Sequence, residues 1–167
     1  FIVEDDFDEA AYVWYIINKD RLNVSTLFAS IMFTENCNFN CSYCYQKSQV
    51  EHCNLATQTQ DDIVTWIEDK IAKESYKKCN IELYGGEPLL RKNDVFYLAE
   101  NLHNRISNKV ELHFRLITNG YYLDLETVKR LMDYGLNDIH ITLDGYGETH
   151  NKRRPLKSGE GSFDKII

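Results

Sequence analysis

Four short apolar runs, each closed by a small polar turn and followed by a segment of helical period or the start of one, constrain this fold more than any other feature. Leu27 to Phe33, Asn80 to Tyr84, Val110 to Ile117 and Asp138 to Leu143 read as strands. Between them, Thr57 to Glu74 sets Ile63, Trp66, Ile67 and Ile71 at helical spacing, with Thr57 or Thr59 available as the N-cap. Asp94 to Ile106 repeats the pattern through Val95, Leu98, Leu102 and Ile106, Leu125 to Tyr134 is a helix stopped by Gly135, and a last helix starts near Ser162. Strands alternating with helices of this length build βαβ units. The expected class is α/β, with parallel strands in a sheet that is flat or curved into part of a barrel. Ahead of this core, Phe1 to Asp20 places Asp5, Asp6, Asp8 and Glu9 before the apolar run Ala10 to Ile17, an acidic helix start with an apolar body.

The chain has 167 residues and 43% hydrophobic content, enough for one core and one domain. A net charge of -7 argues against broad nucleic-acid binding. No apolar run approaches the roughly 20 residues that cross a bilayer, so no membrane partner is expected. The five cysteines are odd in number, three are clustered, and no basic segment leads into an apolar run at the start. A secreted disulfide scaffold is therefore disfavoured, and a reducing cytoplasm is the compartment this usage suits.

In parallel α/β folds the chemistry collects at the carboxyl ends of the strands, and every unusual run of this sequence falls there. After the first strand come Cys37, Cys41 and Cys44, three thiols within eight residues. Such a set can hold an iron-sulfur cluster and leave one iron open to a substrate or cofactor, whereas four thiolates make a carrier of electrons. A zinc site completed by Cys53, Cys79 or His52 is the bland alternative, but structural zinc favours two closely spaced pairs over CxxxCxxC. Cys53 and Cys79 each stand alone, and Cys79 suits a strand edge as a small apolar side chain. After the second strand, Gly85-Gly86-Glu87-Pro88 would by itself be a tight turn. Thr118-Asn119-Gly120 after the third strand is equally turn-like, and Asp144-Gly145 closes the fourth, with Asp144 organising its loop or touching substrate. Lys152-Arg153-Arg154 reads most simply as a solvated basic patch, with Arg154 its one candidate for function. His103, His113 and His140 show no ligand spacing and read as structural or surface residues.

Taken together, these runs resemble the radical S-adenosylmethionine (radical SAM) superfamily. Cys37, Cys41 and Cys44 match its CxxxCxxC ligands, Tyr43 fills the aromatic position before the last cysteine, and Tyr84 to Pro88 is similar to its GGEP motif. Thr142-Leu-Asp-Gly145, then His150, Asn151 and Arg154, then Gly161-Ser-Phe163, resembles the peptide- and protein-modifying branch that often carries a C-terminal SPASM domain, with Asn151 in place of a common Asp. The resemblance implies a 4Fe-4S cluster on the three cysteines and S-adenosylmethionine chelated to the open iron. It implies reductive cleavage to a 5'-deoxyadenosyl radical that abstracts hydrogen from a peptide or protein, as in ribosomal-peptide maturases. Gly85 and Gly86 would let the backbone approach that cofactor, Glu87 would offset its ammonium group and Pro88 would stiffen the turn. Tyr43 would pack near the adenine, Asn119 would join the pocket, and Thr142 or Arg154 would reach the ribose or carboxylate. No residue is assigned a catalytic role.

The same resemblance covers the chain from about Ser25 on, leaving 1–24 as an acidic lead-in helix and 25–167 as an incomplete radical SAM core. About four of six βα units of a partial (β/α) barrel are expected. The chain would then present the cluster loop and half of the cofactor pocket, with open sheet edges that favour self-association. An electron donor such as a flavodoxin or a ferredoxin is the implied partner. Two alternatives remain: a sulfatase-maturating enzyme that makes formylglycine, and a non-catalytic zinc-binding or interaction module.

Overall fold

Alternation along the strands decides which face of the sheet is covered. In β2 (Lys78–Tyr84) Cys79, Ile81 and Leu83 are buried and their neighbours are less so, and in β3 (Glu111–Thr118) Leu112, Phe114, Leu116 and Thr118 follow the same period. With β1 (Thr26–Met32) and β4 (Leu136–Ile141) they form one sheet of order β1-β2-β3-β4, every neighbouring pair parallel. The computed structural model describes residues 7–21, 25–48 and 53–167.

Helices cover the buried face. Val64, Ile67 and Ile71 of α2 (Thr57–Lys73), Val95, Leu98, Leu102 and Ile106 of α3 (Lys92–Ile106), and Leu131 of α4 (Leu125–Tyr134) join the strand residues in one apolar cluster. Full burial of each such side chain stabilises by about 1.5–3 kcal/mol, so this cluster is the chain's main source of stability. The other face carries a polar ladder in adjacent register. Ser30 Oγ donates to Glu82 at 2.7 Å, and Arg115 donates to Asp138 at 2.7 Å and to Glu82 at 3.5 Å. Four parallel strands with helices packed on one face are the α/β arrangement that the alternation predicts, and match the partial (β/α) barrel that the family resemblance implies.

Several boundaries differ from the sequence reading. The opening helix, α1, spans Glu9–Arg21, and Asp8 Oδ1 accepts the Ala11 N–H at 2.9 Å in its first turn, while Asp5 and Asp6 lie outside the described residues. Its apolar body, including Tyr12, Trp14 and Ile17, is exposed. Neither Thr57 nor Thr59 caps α2: Ala56 holds the cap position and offers no side-chain bond, because the helix begins one residue earlier than a threonine cap requires. β4 runs from Leu136 to Ile141, displaced from the expected Asp138 to Leu143, because Gly135 at φ 110° turns the chain directly into the sheet. A register irregularity at Phe114/Arg115 accommodates that early start. The short helix α5 (Glu148–Arg153) escapes any periodicity argument, being six mostly polar residues, and α6 (Phe163–Ile166) follows Ser162 as expected. No helix among the described residues is long and apolar enough to cross a membrane.

The start of α4 makes a direct test of local structure. Asp124 Oδ1 accepts the Thr127 N–H at 2.7 Å and Oδ2 receives Lys92 Nζ at 2.8 Å. The Lys92 ammonium first, and Thr127 second, hold its carboxyl well below the usual carboxylate range. A depressed pKa means that the folded state favours the ionised form, so this stabilisation is complete above the ordinary aspartate value and is lost as pH falls through the depressed one. Asp124→Ala should lower the melting temperature at pH 7, and the gap from wild type should persist at pH 4 and close only in stronger acid.

Candidate functional site

The cysteine loop has almost no regular structure of its own and borrows its shape from three neighbouring segments. On one side, Asn40 N–H donates to Pro155 O at 2.7 Å, Ser42 N–H to Arg153 O at 3.2 Å, and Lys157 N–H to Asn38 O at 2.8 Å. Residues 153–157 thus act as a short pairing partner, and Phe39, Cys41 and Leu156 form a second small core beneath it. Tyr121 meets Phe39 edge-on at 6.1 Å, and the Arg154 guanidinium carbon lies 5.7 Å from the same ring.

The turn after β2 grips the loop from the other side. Gly86 N–H donates to Thr34 O at 2.7 Å and Glu87 N–H to Asn36 O at 2.9 Å, extending the β1–β2 pairing beyond both strands. A Cβ on Gly86 would lie 2.4 Å from Asn36 O, and one on Gly85 2.8 Å from Thr34 O. These glycines are therefore required by contact with the protein's own backbone, a reason different from the expected approach of a cofactor. Glu87 also takes another place than expected. It is fully buried, its Oε1 accepts the Leu89 N–H at 3.0 Å and the Thr118 hydroxyl at 2.7 Å, and its Oε2 accepts the Asn119 N–H at 2.7 Å. Burial pushes its pKa up, and the Asn119, Thr118 and Leu89 donors pull it back in part. Pro88 is buried in the same turn, and neither it nor Glu87 lines the cleft.

The third grip comes from Asn119, at the end of β3. Its Nδ2 donates to Asn38 Oδ1 at 2.8 Å and to Cys37 Sγ at 3.7 Å. The Phe39 N–H reaches the same sulfur at 3.4 Å, so Cys37 Sγ lies under two N–H groups. Burial nevertheless raises the pKa of Cys37, and burial also raises that of Cys41 against an opposing effect of Arg154. Burial thus favours the protonated form of both, and a metal bound here would have to displace those protons.

One cleft gathers most of the expected site. Cys37, Cys41, Cys44, Tyr43, Gly85, Gly86, Asn119, Thr142 and Arg154 all line it. The Tyr43 hydroxyl donates a short hydrogen bond to Asp144 and accepts one from Arg154 Nη1 at 2.7 Å, joining the loop to the far side of β4. Arg154 is 8% exposed, and its Nε is buried with no hydrogen-bond partner among the described residues. The sequence did not single out Tyr45, whose hydroxyl lies 2.5 Å from that of Tyr84, with Gln46 Nε2 at 3.4 Å from each. Their positions, directly after Cys44 and directly before Gly85, were the available signal. Burial and Tyr45 push the Tyr84 pKa up to about 12.

Cys79 sits in the main apolar core and Cys53 is exposed, with its N–H donating to Glu35 Oε2 at 3.0 Å. Neither lines the cleft, and His52 lies outside the described residues. Among the described residues no three His, Cys, Asp or Glu side chains are close enough to hold a single metal ion. A cluster asks for less, since each thiolate holds a different iron. His103 Nδ1 lies 3.1 Å from Tyr134 O, His113 Nε2 pairs with Glu111 at 2.9 Å, and His140 is exposed on β4.

The model of the Radical SAM superfamily matches residues 31–167. The Fe-coproporphyrin III synthase of Methanosarcina barkeri is 34% identical over 136 residues, covering 80% of this chain and 30% of the relative. The GTP 3',8-cyclase of Nautilia profundicola is 36% identical over 135 residues, covering 77% and 38%. Among solved structures, native anSMEcpe with bound AdoMet and Cp18Cys peptide superposes with a TM-score of 0.69 at 22% identity, covering 84% of this chain and 37% of that one. The chain thus spans 30%, 38% and 37% of the lengths of these three proteins.

Gly86→Ala tests the close approach. Its methyl would meet backbone atoms of Glu35 and Asn36, which cannot swing aside. The substitution should destabilise the chain by about 1–3 kcal/mol in a denaturant titration, whereas a change within a few tenths of wild type would show that the turn and loop are not in contact.

Proposed function

Because the chain belongs to the radical SAM superfamily, we propose that it carries a 4Fe-4S cluster on Cys37, Cys41 and Cys44, binds S-adenosylmethionine in the adjoining cleft, and serves hydrogen abstraction from a peptide or protein. Members of the superfamily are enzymes that use this cluster and this cofactor. The observation that carries the reading is the single cleft shared by the three thiols, Gly85, Gly86 and Arg154. Held on Cys37, Cys41 and Cys44, a reduced cluster would supply the electron for reductive cleavage of S-adenosylmethionine bound in the cleft.

The residues present fit those groups. Three thiolates are a soft donor set suited to iron-sulfur chemistry, and the Phe39 and Asn119 N–H groups stabilise the anionic form of Cys37 once its proton has left. The buried Arg154, with an unused Nε, suits the cofactor's carboxylate. Tyr43, fixed at its hydroxyl by Asp144 and Arg154, offers its ring to the adenine. Thr142 stands beside the same cleft for the ribose. Glu87 and Pro88 act one step back, holding the Gly85-Gly86 turn and Asn119 in place.

The peptide substrate rests on the run Thr142 to Phe163 and its resemblance to peptide-modifying enzymes; the similarly folded anSMEcpe was solved with a peptide. The names of the sequence relatives point to GTP and to a porphyrin instead. A cytoplasmic enzyme supplied by a flavodoxin or ferredoxin completes the proposal.

Anaerobic reconstitution of the full-length protein with iron and sulfide should give a brown protein holding about four irons per chain. With a reductant it should convert S-adenosylmethionine to 5'-deoxyadenosine and methionine, and addition of a peptide substrate, but not of GTP, should accelerate that conversion. Cys41→Ala should abolish cluster binding. A colourless protein holding one zinc, or a full cluster on Cys41→Ala, would sink the assignment.

A further inference from the structure

Behind Arg154 the hydrogen bonds close into a ring whose directions can be assigned one by one. Ser162 Oγ donates its single proton to the Arg154 carbonyl at 2.7 Å. It must therefore accept in its 3.1 Å contact with His150 Nε2, so Nε2 carries the ring proton. His150 Nδ1 lies 3.2 Å from the Asp144 backbone N–H, which can only donate, so Nδ1 is bare. The Asp144 carboxylate accepts from the Tyr43 hydroxyl, Tyr43 accepts from Arg154 Nη1, and the Arg154 N–H returns to the His150 carbonyl at 2.8 Å. His150, Ser162, Arg154, Tyr43 and Asp144 thus form one circuit with no free choice of direction.

The surroundings favour the same state of His150. It is fully buried, beside the Phe163 ring at 5.7 Å, and burial and the Arg154 charge push its pKa down. Asn151 Oδ1 pins the start of α6 beside the circuit, accepting the Ser162 and Phe163 N–H groups at 2.9 Å each. His150 itself does not line the cleft, whereas Arg154 and Tyr43 do.

We propose that His150 is a positioning residue of the cofactor pocket: locked as the neutral Nε2–H tautomer, it fixes Arg154 and Asp144, which hold the Tyr43 hydroxyl between them. The positioning role rests on the cofactor reading above, while the tautomer is a property of the chain alone.

Two measurements test this separately. A long-range nitrogen-proton correlation spectrum of the full chain at pH 7 should show His150 neutral with its proton on Nε2, and Ser162→Ala should relax it to a tautomer mixture. An Nδ1–H tautomer or an imidazolium in the wild type overturns the proposal whatever the cofactor does. On the reconstituted enzyme, His150→Phe should weaken S-adenosylmethionine binding about tenfold at unchanged iron content, the loss expected for about one hydrogen bond's worth of orientation. His150→Asn, which retains an acceptor for the Asp144 N–H, should recover most of that loss. Wild-type affinity in His150→Phe overturns the positioning role, and if that variant does not fold, unchanged affinity in Ser162→Ala does so. A wild type that loads its cluster but binds no S-adenosylmethionine fails the cofactor reading, and positioning with it, while the observed tautomer still reports on the circuit.

Discussion

The buried carboxylate of Glu87 is the interaction on which the arrangement of the site depends. A carboxylate removed from water costs several kcal/mol unless charge or hydrogen bonds compensate it, and this one receives three donors from two segments: Leu89 in its own turn, and Thr118 and Asn119 at the end of β3. The ends of adjacent strands are thereby joined by a polar contact that neither can satisfy alone. Asn119, oriented by that contact through its backbone, sends its side chain on to Asn38 and Cys37. One carboxylate thus fixes the distance between the Gly85-Gly86 turn and the first thiol.

The sheet makes that economy possible. Parallel strands deliver all their following loops to one edge, so segments far apart in sequence meet there without long connections. The cysteine loop is the extreme case. It pairs with residues 153–157 on one side and with residues 86–87 on the other, contacts made to backbone atoms and so indifferent to most side-chain changes. At Gly86 the approach is so close that even a methyl group is excluded.

The class of fold was legible because period-two and period-3.6 patterns survive without knowledge of partners: Cys79, Ile81 and Leu83 on β2 and Val95, Leu98 and Leu102 on α3 needed only spacing. The three cysteines and the glycine pair were legible as neighbours because each run follows a strand, whereas Arg154, at the end of α5, was marked only by the family resemblance. Their physical reasons were less so. Glu87 looked like a partner for a bound ammonium group, and its inward turn depends on Thr118 and Asn119, more than thirty positions away. Helix α5 left no trace, since six polar residues carry no periodicity and their order comes from contacts such as His150 to Ser162. β4 was displaced by two residues because Gly135 serves as both the end of a helix and the entry to a strand.

Shape and charge are prepared to different degrees in this site. The course of the cysteine loop is set by hydrogen bonds that involve no thiolate, from Thr34 and Asn36 on one side to Arg153 and Pro155 on the other. The ionisation of the thiols is not set in the same way, since burial keeps Cys37 and Cys41 protonated despite the N–H groups and the guanidinium nearby. Had the loop been built to hold thiolates by itself, those donors would have had to outweigh desolvation, and they do not. In the proposed cluster site, iron would supply the charge that releases the protons, while the protein supplies positions. With that division, the neutral amides at Cys37 would orient the sulfur and temper its charge without competing with iron for it.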